Sequence, residues 1–308
     1  MAGNLIKIVH EVINETNFEI GYDRYAIDLL CDRYVISILD TDTDVRHNII
    51  GYTFPLNNAA SNEICRDKCA CAELLRKHRI PCVRCKLFIT SRDNDNTVED
   101  MIKYCKDVGF PVVIKDNHGT CGKKVYLIRN TYELRNTVSS VNMTHICVNK
   151  FIDIKDEYRV IVLNGEIQLC YTKMRPYVIG DGISTVRELI QSNGIKIDTI
   201  QSYGVSMDSI IEDGQKQILT WKHNLCNGAV PQIVDNPCQE IVTIAQDASR
   251  ILGMNFCSVD IMSDGINLSV IEVNSGVMME YFSKYNDNCY AIAKSIYRNA
   301  ITCMLHRT

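Results

Sequence analysis

The sequence CSVDI at residues 257–261 and the sequence VIEVN at residues 270–274 decide the fold prediction. Each is an apolar run of the kind that forms a buried strand. Each also carries polar side chains, with Asp260 in the first run and Glu272 and Asn274 in the second. A carboxylate or an amide is costly to bury unless it has a bonding partner. The two runs therefore predict strands that carry a polar site.

The link between these strands is short and contains the turn signal Ser263-Asp264-Gly265. A short link favours antiparallel pairing, which would bring Asp260 toward Glu272. Carboxylate and amide oxygens are hard ligands that suit Mg²⁺, which keeps several waters and bridges substrate phosphates. Asp260, Glu272 and Asn274 are therefore the candidate metal ligands.

Side-chain alternation along the second strand places Glu272 and Asn274 on one face. The same alternation puts Ile266, Leu268 and Val270 on that face, so the polar pair is expected where the apolar packing stops. The alternative interpretation is a polar strand edge in solvent, which the apolar neighbours disfavour.

A second signal combines a lysine with a loop that contains two glycines. Lys115 ends the apolar run 111–114, and the loop 117–122 that follows contains Gly119 and Gly122. Glycine lets backbone N–H groups approach an anion closely. The glycines alone would predict a plain turn, but after a buried strand lysine they favour a phosphate-covering loop.

Hydrophobic periodicity predicts alternating strands and helices without an internal repeat. Asn164-Gly165 joins two of the strands and is a strong hairpin signal. The predicted helices are 62–79, 97–108, one from residue 131, 237–252 with a cap from Asp235 or Asn236, and 287–305. The predicted strands are 34–39, 111–115, 125–128, 145–148, 157–163, 166–172, 256–262 and 266–274.

The composition is that of an ordinary globular protein. The 308 residues are 46% apolar and 23% charged, with a net charge of −4. This balance predicts neither a nucleic-acid partner nor a membrane partner, and no apolar run reaches the roughly 18 residues of a membrane span. The first residues show no signal-peptide pattern. We expect a cytoplasmic protein, and a homo-oligomer is left open.

The 15 cysteines, an odd number, indicate free thiols rather than a disulfide scaffold. Many occupy apolar positions, where free cysteine behaves as a small hydrophobe. The densest group comprises Cys65, Cys69, Cys71, Cys82 and Cys85. The CxxC from Cys82 to Cys85 is compatible with zinc or redox chemistry, but no second CxxC follows. Packing is favoured, and the thiols are expected to be reduced and free of metal.

Four motifs together resemble the ATP-grasp superfamily, and within it the ligase domain of cyanophycin synthetases and of glutathione-synthetase-like enzymes. The resemblance covers most of the chain, from Asp67 to Asn274. The motifs are Asp67-Lys68 with Leu74-Leu75 and Ile80-Pro81, Pro111-Val112-Val113-Ile114-Lys115 with Gly119 and Gly122, the run GDGISTVRELI at 180–190, and Ile271-Glu272-Val273-Asn274-Ser275.

The resemblance implies an α/β (α+β) fold in which two α/β subdomains grip ATP, preceded by a short N-terminal α/β domain. It divides the chain into an N-terminal domain at 1–62, a helical connection at 63–93, a lid at 94–150 and a core with the metal site at 151–308.

The resemblance also implies a role for each candidate residue. Lys68 and Lys115 would contact the phosphates, and Gly119, Thr120 and Gly122 would belong to the loop that closes over them. The hinge residues Asn149, Lys150, Phe151 and Ile152 would contact adenine, and Glu157 or Asp156 would contact ribose. Asp260, Glu272 and Asn274 would bind Mg²⁺ (with Mn²⁺ as an alternative), and Arg175 and the segment Lys222-His223-Asn224 would lie near the transferred phosphoryl group and the acyl phosphate.

The implied reaction is the ATP-dependent joining of a carboxylate to an amine through an acyl phosphate, with an amino acid or small peptide as substrate. Phosphorylation gives a carboxylate a good leaving group, and the protein mainly positions groups and neutralises charge. The alternatives are a thiol or ammonia as acceptor, or a nucleotide-binding module without catalysis. A Walker-type NTPase is disfavoured because GxxxxGK[ST] is absent from the sequence.

Overall fold

The computed structural model describes residues 3–90, 95–120, 122–195 and 206–306. Its helices are α1 (Gly3–Ile20), α2 (Ala59–Arg66), α3 (Lys68–Lys77), α4 (Asp95–Val108), α5 (Thr131–Ser140), α6 (Val186–Ser192), α7 (Gln239–Ile251), α8 (Glu280–Ser283) and α9 (Asp287–Leu305). Its strands are β1 (Tyr25–Leu30), β2 (Val35–Asp40), β3 (Val45–Ile50), β4 (Cys85–Ile89), β5 (Val112–Asp116), β6 (Val125–Ile128), β7 (His145–Lys150), β8 (Asp156–Leu163), β9 (Glu166–Met174), β10 (Tyr177–Ile179), β11 (Lys216–Ile218), β12 (Val230–Ile233), β13 (Phe256–Ser263) and β14 (Leu268–Asn274). None of the described helices combines the length and apolar character that a membrane span requires. The mixture of helices and antiparallel sheets confirms the predicted α/β (α+β) class.

The centre of the molecule is a five-stranded antiparallel sheet in the order β12-β9-β8-β13-β14. Side chains of one face, such as Ile161 and Phe256, pack with α1 and α9. Side chains of the other face, such as Val160 and Val259, pack with α3 and α7. Because helices cover both faces, the interior strand β13 is buried along almost its whole length, which explains its nearly continuous apolar run.

A β-bulge in β14 changes the predicted face assignment. Asp260 lies opposite Glu272, as predicted. The next pair is Ile261 with Val270, which leaves Ile271 as an extra residue in β14. The extra residue shifts the alternation by one, so the apolar side chains before the bulge and the polar ones after it lie on opposite faces. The prediction that Glu272 shares a face with Val270 was therefore wrong.

The second sheet, in the order β4-β7-β5-β6, packs with α4 and α5, and we call this unit the lid layer. It contains β4 in addition to the residues predicted for the lid at 94–150. The connection predicted as helical at 63–93 thus contains this strand in addition to α3. β4 lies at the sheet edge and has one buried side chain, Phe88, so it lacks the apolar run that marks an interior strand.

The residues before α2 form a helix and a three-stranded antiparallel sheet. Strands β1, β2 and β3 are neighbours in chain order. α1 packs on α9, where Lys294 Nζ lies 2.7 Å from Glu11 Oε2 and 2.8 Å from Glu15 Oε1. The sequence predicted only one of these strands, since β1 and β3 expose many of their side chains and show a weak apolar pattern.

The helix predicted at 62–79 is two helices, and Asp67 lies at the break. The backbone of Asp67 is extended, and its carboxylate accepts a hydrogen bond from the Ala70 N–H at 2.8 Å. An aspartate at this position caps the helix that follows. Lys68 is consequently the first residue of α3, where the chain enters the candidate site.

Two further helix boundaries were predicted. α7 begins at Gln239 after Cys238, which makes no side-chain cap bond, so the predicted cap from Asp235 or Asn236 was wrong. The last helix is confirmed at Asp287–Leu305, with the side chain of Asn286 as its cap.

Candidate functional site

A cavity of about 230 Å³ lies between the lid layer and the polar end of the central sheet. It brings together the residues proposed from the sequence, apart from Arg175 and the alternative ribose residue Asp156. The predicted residues that line it are Lys68, Lys115, Gly119, Thr120, Gly122, Asn149, Lys150, Phe151, Ile152, Glu157, Lys222, Asn224, Asp260, Glu272 and Asn274.

Four charged side chains form a buried network on the cavity side of the central sheet. Arg159 lies opposite Asp260 in the pairing of β8 with β13, and its Nε and Nη2 donate to the two carboxylate oxygens at 2.7 and 2.6 Å. Lys173 Nζ donates to Asp260 Oδ2 at 3.0 Å and also pairs with Glu157. Asp260 is 2% exposed and Lys173 is 5% exposed, so these charges depend on one another rather than on water.

The network determines which of its groups are charged. Burial alone would raise the pKa of Asp260, but the charges of Arg159 and Lys173 and their hydrogen bonds hold it well below its ordinary value. Burial and the nearby Arg159 would lower the pKa of Lys173, yet Asp260 and Glu157 raise it above the ordinary value. Asp260 is therefore a carboxylate and Lys173 an ammonium at neutral pH.

Glu272 and Asn274 follow the bulge and lie on the cavity face of β14. Asn274 Nδ2 donates to Glu272 Oε1 at 3.3 Å, so the oxygen-bearing ends of the two side chains are adjacent. Such a pair fits a hard cation such as Mg²⁺. Asp260 fits one less completely, because Arg159 and Lys173 already bond its oxygens and each carboxylate oxygen has only two acceptor positions.

Two lysines also line the cavity. Lys115 lies on β5, and Lys68 is the first residue of α3. The ammonium of Lys68 donates to Gly119 O at 2.5 Å and to Asn117 O at 3.4 Å, so it holds the loop that follows β5. Compact ammonium groups of this kind are common phosphate binders. The cavity therefore has a cationic wall beside a wall rich in carboxylates.

The glycine-containing loop contacts the core across the cavity. A Cβ added to Gly122 would lie 2.5 Å from Asn224 Nδ2, so the backbone of the loop approaches this side chain closely. Next to Asn224, Lys222 Nζ donates to Val125 O of β6 at 3.1 Å. Burial lowers the pKa of Lys222 below its ordinary value. The lid layer and the core thus meet along the segment 222–224.

The hinge after β7 provides an apolar part of the wall. Phe151 meets Trp221 edge-on, with ring centroids 5.8 Å apart, and Ile152 and Val113 line the cavity nearby. The ammonium of Lys150 donates to Gly109 O at 2.6 Å. The slot formed by these side chains is suited to a flat aromatic group next to the two lysines.

The sequence analysis did not identify Arg159, Lys173 and Trp221, although all three line the cavity. Arg159 and Lys173 interrupt apolar strand runs, which is the signal that singled out Asp260, so they could have been found. Trp221 lies outside the regular elements, where no periodic pattern marks it.

Arg175 is the candidate catalytic residue that does not line the cavity. Its Nη1 lies 3.9 Å from Asp153 Oδ1. β9 ends at Met174, so the alternation that turns Lys173 toward the cavity does not continue to Arg175. Arg159 and Lys173 are the cations beside the carboxylates in its place.

Comparisons with known proteins give a family match and distant relatives. The model of the RimK-like ATP-grasp domain matches residues 65–176 and 208–298. A cyanophycin synthetase of Geminocystis herdmanii is 24% identical over 197 residues, which are 56% of this chain and 22% of that protein. A coenzyme gamma-F420-2:alpha-L-glutamate ligase of Methanocaldococcus jannaschii is 29% identical over 153 residues, which are 41% of this chain and 51% of that protein.

A solved structure supports the same fold. The D-alanine–D-alanine ligase from Bacillus anthracis complexed with ATP aligns with a TM-score of 0.52 at 15% identity, over 80% of this chain and 70% of that chain. At this identity the likeness concerns the fold alone. The matched residues span 22% and 51% of the length of the two curated relatives.

Proposed function

The chain belongs to the RimK-like ATP-grasp family, and we propose that it uses ATP to join a carboxylate to an amine through an acyl phosphate. The family match confirms the ATP-grasp fold expected from the four sequence motifs. The matched ranges include residues of both charged walls of the cavity. Since the curated relatives extend beyond the matched region, the activity and the substrates are our inference.

The division of charge across the cavity carries the proposal. Lys68 and Lys115 line one wall, whereas Glu272 and Asn274 line the other, next to the buried Asp260. A nucleotide triphosphate with a divalent cation needs both kinds of wall, because lysines contact phosphate oxygens and carboxylates hold the metal. The slot beside Phe151 would then take the adenine, and Glu157 would approach the ribose.

Mg²⁺, with Mn²⁺ as an alternative, would be held by Glu272 and Asn274 with one oxygen of Asp260, and would neutralise charge at the transferred phosphoryl group. Lys68 and Lys115 orient the phosphates from the other side. The loop with Gly119, whose carbonyl Lys68 holds, covers the phosphates and excludes the water that would hydrolyse an acyl phosphate.

His223 provides a proton acceptor for the second step. Its Nδ1 lies 2.6 Å from the carbonyl oxygen of Lys173, and a carbonyl only accepts, so Nδ1 carries the proton. In the neutral ring Nε2 is then an acceptor, and it is buried without a partner among the described residues. We assign it the proton that the amine loses when it attacks the acyl phosphate and displaces phosphate. Lys222 precedes His223 in the chain, and its ammonium can stabilise the oxyanion that forms when the amine attacks.

An amino acid or a small peptide is the proposed substrate class, as inferred from the relative that is named an L-glutamate ligase. A thiol or ammonia as acceptor would use the same activation step and would differ only in the second product. A nucleotide-binding module without catalysis would use both walls as well, but it would leave the buried acceptor Nε2 of His223 without a role, so it is the less favoured alternative.

We expect phosphate and ADP to form in equal amounts, and only when a carboxylate substrate is present. Amino acids and dipeptides would be screened as carboxylate substrates by measuring the phosphate that is released from ATP only in their presence. When the amine is omitted, hydroxylamine should trap the activated carboxylate as a hydroxamate. Stoichiometric AMP and pyrophosphate would overturn the acyl-phosphate mechanism. ATP binding without turnover in the presence of any carboxylate in the screen would favour the nucleotide-binding module.

Gly122→Ala is expected to weaken ATP binding several-fold. Its φ of +65° already disfavours alanine, and the added Cβ would also push Asn224 away, so the loop could not close against the core. The matched control is Gly214→Ala, which has a φ of +75° but no atom within 4 Å of the added Cβ. Both variants should lose a similar amount of stability, about 1 kcal/mol. Calorimetric titration with ATP separates them, and equal affinities would contradict the proposed contact.

A further inference from the structure

Three cysteine thiols converge beside the cationic wall of the cavity. The Sγ atoms of Cys69, Cys85 and Cys147 all lie within 4.8 Å of one another. They come from α3, β4 and β7, which are distant in sequence. Cys82, the other member of the CxxC, is not in this group, and its Sγ donates to Ala72 O at 3.3 Å. The CxxC therefore does not act as a pair, and one of its members joins a different set of thiols.

The position of these thiols differs from that of a packing cysteine. Cys105 lies in the apolar core of the lid layer, as free cysteines often do. Cys147 is fully buried, yet its neighbours Ile146 and Val148 are the ones that enter this core. Strand alternation places Cys147 on the other face of β7, directly opposite Lys115 in the pairing of β7 with β5. The thiols thus meet one another on the face that α3 covers, outside the apolar core.

We propose that Cys69, Cys85 and Cys147 form a binding site for a thiophilic d¹⁰ cation, with Zn²⁺ as the expected ion, that ties α3 to the lid layer. Zn–S bonds of about 2.3 Å at tetrahedral angles place sulfur atoms about 3.8 Å apart, so the three Sγ atoms need to approach by no more than about 1 Å. Water would complete four-coordination. The expectation that all thiols are free of metal is revised for these three.

The cluster favours a thiolate at Cys147, and hydrogen bonds to it are the main cause that raises the pKa of Cys69 and of Cys85. Hydrogen bonds from the thiols of Cys69 and Cys85, and then the charges of Lys115 and Lys68, hold the pKa of Cys147 below its ordinary value in spite of its burial. Cys69 and Cys85, and Cys147 where it is still protonated, release their protons to solvent when they bind the metal, so three thiolates with one divalent cation carry a net charge of −1. Lys68 and Lys115 can balance this charge. The bound metal would also fix α3, which carries Lys68, relative to β7, which pairs with the strand that carries Lys115.

The experiment is a titration of the full chain with Zn²⁺, and separately with Cd²⁺, after reduction and removal of metal by a chelator. We expect one equivalent to bind, with a thiolate-to-metal charge-transfer band for Cd²⁺ and a higher unfolding temperature. Cys69→Ser and Cys85→Ser should each weaken the affinity at least about tenfold. Cys82→Ser, three residues from Cys85, is the matched control and should bind like the parent.

A measurement on the unaltered protein covers the case in which a serine variant fails to fold. Bound Zn²⁺ should protect Cys69, Cys85 and Cys147 from alkylation, as mapped on peptides, and should leave the alkylation of Cys82 unchanged. Absence of stoichiometric binding in the reduced parent, or loss of binding in Cys82→Ser, would overturn the site. Neither result depends on ATP or on ligase activity, so failure here is distinguishable from failure of the proposed function.

Discussion

Glu272→Gln should reduce turnover by more than about a hundredfold, because a metal at the phosphates supplies several kcal/mol of transition-state stabilisation and each 1.4 kcal/mol is a factor of ten. The amide keeps the size of the side chain but loses the charge that attracts the cation. Among the described residues Glu272 accepts a hydrogen bond from Asn274 at 3.3 Å, and its charge is a minor contribution to the raised pKa of the buried Arg159, which Asp260 bonds directly. The unfolding temperature should therefore stay close to that of the parent.

Glu166→Gln is the matched control for this variant. This variant has the same chemical change at an exposed position, since Glu166 is the first residue of β9 in the same sheet. ADP release measured over a range of Mg²⁺ concentrations should show a raised requirement for the metal in Glu272→Gln alone. Turnover equal to that of the parent would remove Glu272 from the metal site, and a large loss in Glu166→Gln would show that the assay responds to stability.

The sequence predicted the polar end of the central sheet well because the physics there is local. A carboxylate within an apolar run requires a partner, and this requirement identified Asp260. The short link between the two strands predicted its position opposite Glu272. The bulge at Ile271 was not predictable in the same way, since an extra residue in one strand depends on how two backbones fit together. The roles of the lysines and of the hinge came from the family resemblance.

The missed features depend on contacts between residues that are far apart in the chain. Cys147 meets Cys69 and Cys85 only because β7 pairs with β4 and α3 covers the sheet, so no local spacing marks the cluster. Arg175 and Lys173 are two residues apart, and the sequence alone does not show that β9 ends between them. For these residues, the points at which the strands end determine which side chains meet. The spacing of a sequence motif does not show where those points are.

Asp260→Asn is expected to destabilise the fold as well as to stop turnover. The asparagine side chain would leave Arg159 and Lys173 buried with one anion, Glu157, between them. Removal of one partner from a buried charge network costs about 3–5 kcal/mol, because the charges that remain are neither solvated nor paired. Denaturant unfolding would measure the loss, and ADP release would measure the activity of the fraction that stays folded.

Asp40→Asn is the matched control for this last prediction. Asp40 is also buried, at 3% exposure, and accepts from Arg24 Nε and Nη2 at 3.0 and 2.8 Å, but the side chain of Arg24 is 32% exposed and can turn to water. The Asp40→Asn variant should therefore lose much less stability than Asp260→Asn.

The pKa of Asp260 lies below the ordinary value in the folded state, so the stability that its carboxylate contributes is present above a pH of about 4 and is lost as the pH falls below it. The gap in stability between parent and Asp260→Asn should therefore narrow in acid, and a gap that is small at neutral pH would show that the network is not what holds this end of the sheet.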